Sequence, residues 1–140
     1  MAKNRLVFDP DYDFELYGII TSIREYKLAW ELNKRLEIHL VKQPDIGLEF
    51  VKEGQVIISN FKFEKDGSIF KLLRNKSADQ PDNKVLYLLP ELQKFDYFLL
   101  IKSQLIDINE ITAKIKSISL VDFVSHFEVS GIKSKENLIF

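Results

Sequence analysis

The sequence predicts an α+β protein built as a two-layer sandwich, a mainly antiparallel sheet with two helices on one face. Three observations predict it: two amphipathic stretches that open on helix-start signals, a hairpin turn at Asp66-Gly67, and short aromatic and β-branched runs flanking each helical stretch. The 140 residues are the usual size of one domain, and the 46% apolar content is enough to bury a core, so residues 1–140 are read as a single α+β domain.

Phe14–Thr21 (FELYGIIT) reads as the first strand. Ser22 and Glu25 have the spacing of a capping box, in which hydroxyl and carboxylate satisfy free N–H groups of the first helical turn. At about 100° per residue, Tyr26, Leu28, Ala29, Trp30, Leu32 and Leu36 share one arc. Arg24, Lys27, Glu31, Lys34 and Arg35 fall on the opposite arc, which predicts an amphipathic helix. Leu36–Lys42 reads as a strand stopped by Gln43-Pro44-Asp45. Gln55–Lys65 and Ser68–Asn75 form a hairpin through Asp66-Gly67, because a two-residue turn needs positive φ at both positions and Asp-Gly tolerates that best.

Lys76–Lys84 (KSADQPDNK) is polar and breaker-rich, hence a surface loop. Val85–Leu89 and Asp96–Lys102 read as two strands flanking Pro90-Glu91. Asp107 and Glu110 repeat the capping-box spacing ahead of a stripe of Ile108, Ile111, Ile115 and Ile118. Leu120–Val129 then alternates, with Val121, Phe123, Phe127 and Val129 on one face and Asp122, His126 and Glu128 on the other. The order is βαβ, antiparallel strands, then βαβ again, which suits a ferredoxin-like or ACT-like sandwich with an inserted β-hairpin.

Composition excludes several classes. Without cysteine there are no disulfides and no thiolate chemistry. The start, MAKNRLVFDPDYD, lacks the apolar core of a signal peptide, and the runs at 85–90 and 97–101 are too short to cross a bilayer, so a cytoplasmic setting without membrane is expected. A net charge of −1 lacks the basic excess of a dedicated nucleic-acid binder. Val85–Leu89 and Tyr97–Ile101 are apolar at consecutive positions, as in strands covered on both faces. Two helices cover one face, so the inserted hairpin or a second subunit is expected on the other, and a homodimer is the expected state.

Leu89-Pro90-Glu91-Leu92-Gln93-Lys94-Phe95-Asp96-Tyr97 resembles the defining motif of the bacterial IPExxxVDY family. Pro90, Glu91, Asp96 and Tyr97 match it directly, while Leu89 replaces its isoleucine and the larger Phe95 its valine. FELYGI near the start and Lys135–Phe140 at the end are also similar to that family. The resemblance implies the fold and a bacterial cytoplasmic setting. It carries no activity, cofactor or catalytic residue.

The candidate residues each have a bland reading beside the chemical one. Glu91 and Asp96 are either paired carboxylates for acid–base work or the acceptors that brace a corner at Pro90. His39 and His126 lack metal-ligand spacing, and neither a metal nor a cofactor is expected. Arg24, Lys27, Lys34 and Arg35 offer a basic surface for an acidic protein partner or for phosphates. Lys62, Lys65, Lys71, Arg74 and Lys76 interleave with Phe61, Phe63 and Phe70, as on a single-strand RNA platform, but without its glycine-bearing motif. Nucleotide-binding and acyl-transfer motifs are missing. The leading expectation is a non-enzymatic interaction or regulatory domain. An RNA- or ribosome-associated accessory protein and an enzyme using Glu91 and Asp96 are the alternatives.

Overall fold

The computed structural model describes residues 12–50, 54–78 and 85–140. It contains one antiparallel sheet of six strands, β1 (Glu15–Thr21), β2 (Val41–Phe50), β3 (Gly54–Lys65), β4 (Ser68–Arg74), β5 (Tyr97–Lys102) and β6 (Val121–Phe127), in the order β2-β3-β4-β5-β1-β6. Helix α1 (Glu25–Leu36) joins β1 to β2, and α2 (Ile108–Lys116) joins β5 to β6. Since every neighbouring pair is antiparallel, β5 and β6 run the same way on either side of β1. Leu28, Ala29 and Leu32 of α1 and Ile115 of α2 pack with Tyr17, Ile19, Leu72, Leu99, Ile101 and Val124 of the sheet. Both helices therefore cover one face.

The hairpin turns where Asp-Gly chemistry places it: φ is 51° at Asp66 and 83° at Gly67. Asp107 caps α2 by accepting from the Glu110 N–H at 3.1 Å. Ile115 and Ile118 of the isoleucine stripe are fully buried. The α1 cap differs from the expectation. The cap residue is Arg24, with no side-chain cap, because the chain turns into the helix two residues after Ser22, and the Glu25 carboxylate accepts from the Ser59 hydroxyl instead. Tyr26 and Trp30 also leave the buried arc, which centres on Leu28, Ala29 and Leu32.

Two expected strands are corrected. Leu36 ends α1, Glu37 takes the left-handed conformation that closes it, and β2 starts at Val41 and runs through Gln43-Pro44-Asp45 to Phe50. Pro44 is tolerated because β2 is an edge strand and its register with β3 breaks between Gln43 and Ile46, so no ladder N–H is missed there. Val85–Leu89 is not a strand. Its one pairing is the Lys76–Tyr87 bridge, and Leu86, Leu88 and Leu89 pack into a second core with Leu16, Ile58, Leu73, Phe98 and Leu100. Phe95, Val129, Ile132 and Leu138 join that core. The second face of β5 is thus covered by the 85–95 segment and the C-terminal segment of the same chain, while the strands of the expected hairpin, β3 and β4, lie within the sheet. Of the expected polar loop, residues 79–84 lie outside the described residues, as do residues 1–11 of the start.

Candidate functional site

Asn75, one residue beyond β4, organises the 85–96 segment. Its side-chain amide donates to the Leu92 carbonyl at 3.0 Å and the Phe95 carbonyl at 2.9 Å, while its Oδ1 accepts from the Leu89 N–H at 2.9 Å. Its backbone N–H donates to the Asp96 carbonyl and its carbonyl accepts from the Leu88 N–H. Pro90 opens a short 3-10 turn, Pro90–Leu92, where its missing N–H costs nothing. Turn and corner together explain how an apolar, non-sheet segment lies buried with its backbone satisfied.

The four motif residues divide between two surroundings. Glu91 faces the C-terminal segment, where its carboxylate accepts from the Ser134 N–H at 2.9 Å and from the Ser134 hydroxyl. Burial pushes that carboxyl up, but the bonds from the Ser134 hydroxyl and from nearby backbone N–H groups outweigh it, and its pKa lies below the usual value. Asp96 faces the start of α1, with Oδ2 accepting from the Thr21 N–H at 2.9 Å and its own N–H donating to Ile19. Tyr97 is buried and its hydroxyl donates to the Ile23 carbonyl at 3.0 Å. Burial holds its pKa up, against the pull of nearby Arg74.

Among the described residues, three hollows adjoin this corner. One of about 530 Å³ lies between the 85–93 segment and Lys133–Asn137. A second, about 360 Å³, is lined by Thr21, Arg74, Lys76, Tyr87, Gln93 and Asp96. The third, about 390 Å³, adjoins it and shares Ser22, Ile23, Arg74 and Tyr97, adding Arg24, Glu25 and Tyr26. Glu91 does not line the hollow that Asp96 lines, so the two carboxylates are not brought together across one cleft. Arg74 makes no ion pair among the described residues.

The basic residues of α1 have different immediate surroundings. Lys27 and Lys34 flank Trp30, with their ammonium groups 5.3 and 3.6 Å from its ring centroid, and Lys34 also pairs with Glu31 at 2.9 Å. Trp30 is 53% exposed and Tyr26, four residues earlier, 65% exposed. Arg24 lines the third hollow, and Arg35 is exposed near the helix C-terminus. Compared with known protein families and curated proteins, the chain matches no family model and no curated protein. No helix among the described residues is long and apolar enough to cross a membrane.

The remaining candidates fall elsewhere. Phe61 is buried and Phe63 and Phe70 are half-buried under the helices, 6.1 Å apart, so none presents a bare ring above the hairpin lysines. Lys71 stands opposite Lys62, and burial first, then that neighbouring charge, lowers its pKa. Exposed His39 precedes β2, while His126 bonds Glu15 Oε1 at 2.6 Å beside the Tyr17 ring. Among the described residues no three His, Cys, Asp or Glu side chains are grouped as metal ligands. Sequence reasoning missed Asn75 and Ser134. An asparagine as the last residue of the expected strand Ser68–Asn75 was the one visible signal, since its side chain can hold neighbouring backbone.

Proposed function

We propose that this chain is a non-enzymatic interaction domain whose α1 outer face receives an acidic segment of a partner protein. Exposed Trp30 between two lysines carries the reading. An indole left in water at mid-helix is a ready contact anchor, and Trp, Tyr and Arg dominate binding hot spots. Tyr26 continues the strip to the hollow lined by Arg24 and Arg74, where a carboxylate side chain meets guanidinium without displacing an internal partner of Arg74. Lys34, held by Glu31 and by the ring, is pre-organised to meet an acidic group.

Nucleic acid fits this face less well. Base stacking needs a free ring face, and both lysines already lie over the indole. The hairpin phenylalanines are turned into the core, which removes the other proposed stacking platform. The enzyme reading loses its motive with Glu91 and Asp96 apart. We also propose that the chain is a cytoplasmic bacterial protein of the IPExxxVDY kind. The sheet order β6-β1-β5-β4, with a helix after β1 and another after β5, supports a ferredoxin-like sandwich extended by the β2–β3 pair.

Trp30 is the sole tryptophan and reports its own occupancy. A synthetic peptide alternating Glu and Phe is titrated against the chain at low salt, with oligouridine as the comparison probe. The expected result is a fluorescence change with the peptide, weakened about tenfold or more by Lys27→Glu/Lys34→Glu and by rising salt. No response to the peptide, or a stronger response to oligouridine, overturns the proposal.

A further inference from the structure

The sheet has two edges, β2 and β6, and they are built differently. Edge β2 carries the devices that discourage strand addition: Lys42, Pro44, a register break and the Lys42–Asp45 ion pair at 3.1 Å. Edge β6, Val-Asp-Phe-Val-Ser-His-Phe, has no proline and no lysine; its register shift with β1 leaves Asp122 as the extra residue between Val121, opposite Thr21, and Phe123, opposite Ile20, and residues 123–127 pair without a break. Beyond the ladder to β1, the backbone groups of residues 122–127 make no hydrogen bond among the described residues. Such a row of free donors and acceptors is a template for another strand.

We propose that the strand added is β6 of a second copy, antiparallel about a two-fold axis at Val124. The segment is complementary to itself in that register. Asp122 falls opposite His126 of the second copy, and the reverse contact repeats on the other side of the axis, as an isologous interface requires. Both groups are free to meet. Asp122 is exposed with no partner among the described residues, and Glu15 occupies only Nε2 of His126, leaving Nδ1 unpaired. On the opposite face Phe123, 53% exposed and 6.2 Å from the Phe95 ring, falls beside the small Ser125 of the second copy, which leaves room for it. A slip of one residue sets Asp122 against Ser125 or Phe127 and loses both polar contacts. The paired sheets carry their helices on the same side. This edge is separate from the α1 face, so this proposal and the acidic-partner reading stand or fall independently.

The test uses the whole chain. Sedimentation from about 10 to 300 μM is expected to show a monomer–dimer equilibrium, since pairing of one short edge gives a small, weak interface. A monomer throughout that range overturns the proposal. The cysteine-free sequence allows a register-specific cross-link. Phe123→Cys and Ser125→Cys chains, mixed and mildly oxidised, are expected to join about tenfold faster than either alone, because only the mixed pair stands directly opposite. Equal rates in all three samples overturn it. Asp122→Lys, an exposed change, is expected to weaken association at least about fivefold by opposing the second copy's imidazole, with the melting temperature unchanged. Undiminished association in this variant overturns the proposed register.

Discussion

Replacing Asn75 by alanine tests whether this one amide holds the corner. Asn75 is fully buried, and its removal strands the Leu89 N–H and the Phe95 carbonyl and leaves the Leu92 carbonyl with the Phe95 N–H alone. Each buried group left without a partner costs about 1–3 kcal/mol. Water entering the vacated volume re-satisfies some of them, so the expected loss is about 3–5 kcal/mol rather than the simple sum. That is a large part of the ~5–15 kcal/mol that holds a typical domain. Urea unfolding reads it directly. With a slope of about 2 kcal/mol/M, the midpoint falls by roughly 2 M while the slope is unchanged. A loss below about 1 kcal/mol would refute the argument. Asn75→Asp separates hydrogen bonding from volume. The new carboxyl faces two carbonyl oxygens, so its protonated form is favoured and its folded-state pKa lies above the unfolded value. Its penalty is therefore smallest at acid pH and grows as pH rises past about 4. A pH-independent penalty contradicts that reading.

Three further outcomes follow from the contacts. Glu91 has a depressed pKa, so the stability it adds is present above the ordinary glutamate value and is lost as pH falls through the lower folded value; protection of the Ser134 amide against hydrogen exchange should drop there, and should drop at neutral pH in Glu91→Ala. Gly18→Ala places a Cβ 2.7 Å from ring atoms of both Phe95 and Phe127, so a loss of about 1–3 kcal/mol is expected, and a neutral result contradicts the tight ring packing. Burial first, then Glu15 and Asp107, pushes Tyr17 up to about 12, so its contribution is present below pH 10 and fades as pH approaches 12. Phenolate absorbance should show Tyr17 silent near pH 10 while the chain stays folded, with Tyr97 also raised above its ordinary value, and all 5 tyrosines titrating together near pH 10 would contradict this.

The fold was legible where local chemistry dictates the outcome. Asp66-Gly67 makes its turn with or without tertiary context, and Asp107 caps α2 through a bond spanning three residues. It was illegible where distant groups decide. Val85–Leu89 reads as a strand because consecutive apolar residues look the same in a doubly covered strand and in a buried irregular segment. Only Asn75, which supplies the missing backbone partners, tells them apart. Pro44 looked like a stop because nothing local reveals that β2 lies at an edge. At the candidate site the basic residues of α1 were visible, but the exposure of Trp30 was not. Apolar periodicity gives a helix its faces without saying how wide a stripe the sheet will cover.

The placement of β1 has a consequence for the order of events on the ribosome. Its two neighbours are both late: Ile19 pairs with Tyr97 on one side and with Val124 on the other. While the chain is being made, the early strands have only the β2-β3-β4 meander to form by local pairing. The apolar β1 must wait for β5 and β6, both made after the meander. Contacts so distant in sequence slow folding. A bare apolar strand held in waiting is the species a nascent-chain chaperone would engage, and release would come only as β5, β6 and the C-terminal segment emerge to close over it.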